Sequence, residues 1–512
     1  MKKLTIFIIG FFFLSFLNPN ASKAMEPVQY SKKTNVTLID AASGNIDLIG
    51  TFQLITLDTN VVSYLPVNST LTFKKDSSGI TAQFSSSSIK SSKGFKVQEL
   101  NEMPKMIVFN QATPLRKGAT SSYDVIRQFN AGEAAPYINT FTNSSGEVWY
   151  NVSSQEGNGW VLATNTKIQN PVNTSLNLAK INNGKTYRGS YEIVPDGANL
   201  NIMNTLDLED YLKGVVPNEM PAGWPKEALK AQAIAARSYA ANSMNLSDTA
   251  SSQVYRGYSS EDSRSTAAIN ETNGLVVRYN GKVIQTFFFS TSGGRTANVG
   301  DVWNSNQSSF PYLVSVEDPY ETSSHSNWTE NFTPQQLLTS FGFNPSTTTL
   351  LDVKLYKPGQ NGEVRGVTVE TSNGTKTING NENQIRKLFP VESSSHYNIL
   401  NSNWFDMKLT KQSNSASVQT SNGIVNVDGL KGQAVQTSTG VETLSTQDVQ
   451  VQTPTGIQAY PMISGVTNIT LNGKGWGHRI GMSQYGAKGY AEKGWNAEQI
   501  ITHYFKGTTV SK

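Results

Sequence analysis

The 512-residue chain has no cysteine. That excludes disulfides, thiolate nucleophiles and cysteine-ligated zinc. Its stability must come from a core large enough to do without covalent staples. Histidine is nearly as scarce, with only His325, His396, His478 and His503. No two of them share a metal-ligand spacing such as HExxH, so no metal site and no cofactor are expected. The glycines do not fit Gly-x-Gly-x-x-Gly, and there is no Walker-type Gly-x-x-x-x-Gly-Lys-Ser/Thr and no Gly-x-Ser-x-Gly elbow. Nucleotide binding and serine-hydrolase chemistry are therefore poorly supported.

An excess of one charge is also missing. Lysine and arginine number 42 against 38 acids, a net charge of +4. The first 24 residues hold Lys2, Lys3 and Lys23 and no acid, so the remainder carries 39 − 38 = +1. A nearly neutral chain lacks the basic footprint of a nucleic-acid binder. Long apolar runs are absent after Leu17. The one before it, Leu4 to Leu17, follows Lys2-Lys3 and precedes Asn20-Ala21-Ser22-Lys23-Ala24. It falls short of the ~20 residues needed to span a bilayer. It reads as a secretory signal peptide, residues 1–24, cut after Ala24. The rest is expected to be secreted, extracellular or in the cell wall, with no transmembrane segment after cleavage.

What remains is long enough for two to four domains of roughly 100–200 residues. Residues 25–110 are Ser/Thr-rich with alternating stretches such as Phe52 to Leu57 and Ser69 to Lys74. Gly50, Asp76 to Gly79 and Lys93-Gly94 punctuate them, which is strand-and-turn chemistry. In residues 111–180, short strands including Val148 to Val152 and Gly159-Trp160-Val161 resemble an SH3-like wall-binding module. A plain β-barrel with Trp149 and Trp160 in its core reads equally well.

The texture changes near Leu206. Asp207 to Val216 looks helical, and Pro217 to Trp224 breaks it with two prolines and a glycine. Pro225 suits the start of an alanine-rich helix to about Met244, with Leu229, Ala233, Ala236 and Ala240 on one stripe. Asn280-Gly281 between two strand-like runs is the strongest hairpin signal in the chain. Residues 411–456 have few charges and no aromatics, and the stretch 411–460 reads as an insertion of short strands or a flap. Near the end, a strand at Thr467 to Leu471 leads into Gly473-Lys474-Gly475-Trp476-Gly477-His478. A helix is expected from about Met482, and Asn496 with Gln499 makes a capping-box start for a last helix to Phe505.

Three places carry candidate chemistry. Glu219 sits between Pro217 and Pro221, beside Met220 and Trp224. A carboxylate on a rigid, partly apolar turn is suited to hold a proton and donate it to a leaving oxygen. An acid at a helix start can equally be a dipole-favoured cap. Ser290-Thr291-Ser292-Gly293-Gly294 offers hydroxyls and bare amides for sugar or amide groups, or a turn that needs two glycines. His478 can bind substrate, orient an acid, or simply be structural.

Taken in order, three blocks resemble the SpoIID/LytB family. The first is Leu208 to Pro221 with Glu227 to Tyr239, the second Phe289 to Thr296, the third Gly475 to Ala487. The resemblance covers about Tyr187 to Gly507. It implies an α+β fold, a SpoIID-type core of helices packed on antiparallel strands, preceded here by the β-rich N-terminal region. The core would comprise residues 185–410 and 461–512, split by the insertion. The function implied is peptidoglycan remodelling, either as a lytic transglycosylase or as a non-catalytic enhancer of a wall amidase. The sporulation branch uses the glutamate of the Glu-Met-Pro block as its catalytic acid, which falls on Glu219. Expected substrate-binding residues are Gln232, Arg237, Tyr239, Ser290, Ser292, Gly293, His478 and Gln484. Glu209 and Glu227 are expected to be solvated helix residues, with a second acid as the alternative. Zinc-binding members use cysteine and histidine, so no metal is carried over. Arg479 departs from the family, which usually has glycine after the histidine. A long cation there is expected to narrow the groove or meet an anionic wall polymer.

Overall fold

The computed structural model describes residues 25–512 except 26, 174–175, 183, 244, 392–397, 413–414, 421, 429–433, 438, 445–449, 454–455 and 460–464. The expected signal peptide and His396 lie outside the described residues. The fold is α+β, with mostly antiparallel sheets and few helices. It divides into two compact units, Met1–Asn218 with Met244–Glu261 and Glu219–Ser243 with Asp262–Lys512.

The first unit is built on alternation. Strand Ser43–Ile49 buries Gly44, Ile46 and Leu48 and exposes the residues between, the pattern of a sheet with one wet face. It lies in a six-stranded sheet. A second, 14-stranded sheet runs from Val125–Phe129 to Leu246–Ser247. The two sheets meet where Gly44 leaves room: a Cβ there would lie 2.5 Å from Ile202 Cδ1. Phe73 and Phe95, from opposite sheets, pack with ring centroids 5.8 Å apart. Strands Ser190–Asp196 and Asn199–Asp207, assigned from sequence to the family core, are hydrogen-bonded into this N-terminal sheet. Strands between Thr113 and Leu162 close over Phe109, Leu115, Phe129, Val152 and Val161. Trp149 is buried there as well.

Strand Asn199–Asp207 ends where Asp207 caps helix Leu208–Lys213, accepting from the Glu209 N–H at 3.0 Å. A tyrosine cluster seats this helix. Tyr211 donates to Gln253 at 2.9 Å and Tyr255 to Asn204 at 2.9 Å. Asn218 is tied to the Gly214 carbonyl at 2.7 Å and to Ser260 at 2.8 Å.

The second unit begins with Glu219 and centres on helix Lys226–Asn242. Leu229, Ala233, Ala236 and Ala240 are all buried, so the small-residue stripe does admit close neighbours. Helices Ser263–Glu271, Gln484–Glu492 and Ala497–Tyr504 pack against it. Asn280 and Gly281, with φ of 50° and 78°, form the expected hairpin turn. The capping box at Asn496 and Gln499 is present. A separate cluster around Phe332, Leu338, Phe389 and Phe405 underlies two three-stranded sheets. In the 411–460 stretch the chain forms three two-stranded hairpins.

Candidate functional site

The second and third sequence blocks are locked together by backbone. Phe288–Phe289 pairs with Met482–Ser483. Thr291 and Trp476 exchange two hydrogen bonds, of 2.7 and 3.1 Å. The loops touch so closely that only glycine fits. A Cβ on Gly293 (φ 76°) would lie 2.7 Å from the Gly475 nitrogen, and one on Gly475 (φ 76°) would lie 2.6 Å from the Thr291 oxygen. The glycines that read as a turn are thus also the contact surface between the two blocks.

The first block joins through side chains. Gln484, the first residue of helix Gln484–Glu492, donates its amide to Glu219 Oε2 at 3.1 Å. Trp224 and Tyr485 pack edge to face at 4.8 Å. Glu219 is half-buried, and Met220 beneath it is fully buried. Tyr239, on the alanine-rich helix, packs on Phe287 at 5.9 Å and Phe288 at 6.5 Å. Partly exposed Ser290 offers its carbonyl to the Tyr485 N–H at 3.1 Å, and its hydroxyl lies 3.0 Å from that of Thr291.

The remaining expected residues sit deeper. Gln232 is fully buried, and neither of its amide atoms has a hydrogen-bond partner among the described residues. Arg237 is turned inwards, donating to the Leu275 carbonyl at 3.0 Å and facing those of Ile269 and Ala233. Ser292 is buried, its hydroxyl accepting the Gly294 N–H at 3.0 Å. His478 lies among Phe289, Trp303 and Phe287, 5.1 to 6.3 Å between centroids. Its Nδ1 accepts the Ile480 N–H at 3.0 Å. Loss of solvent among these rings pushes its pKa down to about 4, so the ring is neutral at pH 7. Glu227 holds Lys230 at 2.8 Å and accepts the Ala497 N–H at 2.8 Å, anchoring the start of the last helix.

The expectation for Arg479 needs correction. Its side chain is completely buried and meets neither solvent nor any polymer. It pairs with Glu363 at 3.2 Å, both side chains inaccessible, and lies 3.9 Å over the Trp404 ring. It donates to the carbonyls of Ser292 at 3.0 Å and Arg295 at 2.8 Å. Its φ of 63° is the left-handed conformation that glycine takes without strain, which accounts for glycine being usual there. Arginine accepts that strain and fixes the Ser292 bend from below.

Two acids escaped the sequence reading. Glu321 receives N–H groups from Ser292 and, at 2.9 Å, Gly293, and hydroxyls from Ser483 at 2.9 Å and Ser326 at 3.0 Å. Asp318 is buried, with the hydroxyls of Ser292, Ser483 and Tyr504 about it. Burial, then the charge of Glu321, raises its pKa to about 7. It presses on Gly486, where a Cβ would lie 2.2 Å from the carboxylate and 2.0 Å from the Tyr504 hydroxyl. No group of three or more metal-ligating side chains occurs among the described residues.

An acid at a tight turn, joined to a Ser-Gly-Gly bend and a Gly-Trp-Gly-His loop, is the arrangement the three blocks imply. Residues 196–279 match the family model described as SpoIID, stage II sporulation protein. That match and the relatives below support the resemblance to the SpoIID/LytB family. The chain is 29% identical over 420 residues to an amidase enhancer of Bacillus subtilis, covering 74% of this chain and 55% of that protein. It thus spans little more than half of that relative. It is 28% identical over 338 residues to stage II sporulation protein D of the same organism, covering 62% of this chain and 77% of that protein. Among solved structures, NlpC2 from Trichomonas vaginalis matches at 12% identity and a TM-score of 0.11, over 28% of this chain and 50% of that one. So low a score carries no argument about fold.

Proposed function

We propose that this chain is a secreted peptidoglycan-remodelling protein, and that it cleaves glycan strands as a lytic transglycosylase with Glu219 as acid and base. The observation that carries the reading is the Gln484–Glu219 hydrogen bond, which brings the acid of the first block to the interlocked second and third blocks. A donor on Oε2 fixes the orientation of the carboxyl group without neutralising it.

In the proposed reaction, protonated Glu219 gives its proton to the oxygen between N-acetylmuramic acid and N-acetylglucosamine. Positive charge develops at the muramic C1 as that bond breaks. The carboxylate then takes the proton of the C6 hydroxyl, and the C6 oxygen closes on C1 to leave a 1,6-anhydro end. One carboxyl group serves both steps and no water enters, unlike the two-acid hydrolases. The half-exposed rings of Trp224 and Tyr485 beside Glu219 suit the apolar faces of sugar rings. Tyr239, Ser290, Ser292, Gly293, Gln232, Arg237 and His478 are proposed to bind or shape this glycan site, the buried ones from beneath.

A second reading is a non-catalytic wall binder that stimulates an amidase. It is favoured by the relative named as an amidase enhancer, matched over 74% of this chain. Residues 111–180 are proposed to bind wall under either reading. Digestion of peptide-free glycan followed by mass spectrometry separates the two. Anhydro ends that fall by roughly 10²–10⁴ in Glu219→Gln support the transglycosylase, the range for loss of a general acid. Intact glycan, with amidase stimulation equal in wild type and Glu219→Gln, supports the enhancer.

A further inference from the structure

Glu321 lies in the loop after Asp318 and takes no part in the proposed proton transfers, yet its carboxylate gathers four donors. Oε2 accepts the Ser292 N–H and the Ser483 hydroxyl; Oε1 accepts the Gly293 N–H and the Ser326 hydroxyl. Ser483 is the N-cap of helix Gln484–Glu492, its oxygen accepting the Gly486 N–H at 3.1 Å. A hydroxyl has one proton to give. The Glu321 oxygen at 2.9 Å is a closer acceptor than the Ser290 carbonyl at 3.4 Å. With that proton committed to Glu321, the lone pairs of Ser483 face the helix. The next residue is Gln484, whose amide reaches Glu219.

We infer that Glu321 is a positioning residue for Glu219: through Ser483 it sets the start of the helix from which Gln484 holds the acid. The same carboxylate clamps the Ser292–Gly293 bend, and Arg479 holds the Ser292 carbonyl from the other side. Its catalytic consequence rests on the reading of Glu219 as the working acid. The geometric relay does not.

Glutamine is the discriminating replacement at position 321. It keeps the shape but offers one accepting oxygen in place of two, so its NH₂ must face a backbone N–H at either end. The relay is read from the side-chain amide resonances of Gln484 in protein labelled with nitrogen-15, assigned by their loss in Gln484→Ala. In wild type one amide proton should carry the signature of a bond to a carboxylate, lost in Glu219→Ala. Glu321→Gln and Ser483→Ala should each move it towards that unbonded position, and the double variant should move it no further. A Gln484 amide that stays at its wild-type position in both single variants overturns the inference. If Glu321→Gln fails to fold, Ser483→Ala, which removes only the relaying hydroxyl, decides alone.

On peptide-free glycan, Glu321→Gln is expected to lower kcat roughly 10-fold to 100-fold, the scale of a misplaced group, with KM unchanged. A fall through KM alone would indicate a binding role and overturn positioning. If wild type makes no anhydro ends, the transglycosylase reading fails, and the amide resonances still decide the relay.

Discussion

Asp318 and Arg479 are charged residues placed where water cannot reach them, and each gives a test. The pKa of Asp318 is raised from 3.8 to about 7. The folded state therefore binds the proton more tightly than the unfolded chain does. The resulting stability is fully present below about pH 4 and is lost as the pH rises through 7. His478, pushed down to about 4, acts in the opposite sense, and only below its ordinary value of 6.5. Between pH 6.5 and 8 the slope should belong mainly to Asp318. Over that range the melting temperature of wild type is expected to fall relative to that of Asp318→Asn. Parallel curves would contradict the assignment. Arg479→Met leaves Glu363 buried without its partner, and urea unfolding should show a loss of about 3–5 kcal/mol. The sequence announced neither role. Asp318 and Glu321 lie outside the three sequence blocks, and only tertiary packing brings Ser292, Ser483 and Tyr504 around them.

At the level of elements, much was legible because the signals are local. Asn280-Gly281 specifies a turn with two positive φ values, and Asn496 with Gln499 specifies a helix start. Pro225 proved to be the cap rather than the first residue of its helix, a one-position difference from the expectation. The glycines of the second and third blocks read as turns. That they also press against each other required knowing that Phe288–Phe289 and Met482–Ser483 are paired. Ser483→Ala removes the cap of helix Gln484–Glu492 and should cost about 0.5–2 kcal/mol by thermal denaturation. A variant that melts at the wild-type temperature would show that the cap is not holding this helix.

For the whole molecule, the sequence conveyed the class but not the partition. Residues 190–207 resemble the family core in sequence, yet their backbone completes a sheet begun more than a hundred residues earlier. Alternation tells which face of a strand is buried and says nothing of its neighbour. The 411–460 stretch, expected to be an insertion of short strands or a flap, forms hairpins among its described residues. Its ends meet where Lys411 pairs with Val466 and Gln412 donates to the Gly465 carbonyl at 3.0 Å. Replacing residues 413–464 with a short turn should shift the melting temperature by no more than about 3 °C, and a larger fall would make the excursion part of the core.

The most direct test of the central claim uses peptide-free glycan in water enriched in heavy oxygen. If Glu219 passes the proton and the C6 hydroxyl closes the ring, the new muramic ends are anhydro and carry no heavy oxygen, and Glu219→Gln forms almost none. Heavy oxygen at C1 of the new ends, or cleavage undiminished in Glu219→Gln, would contradict the account.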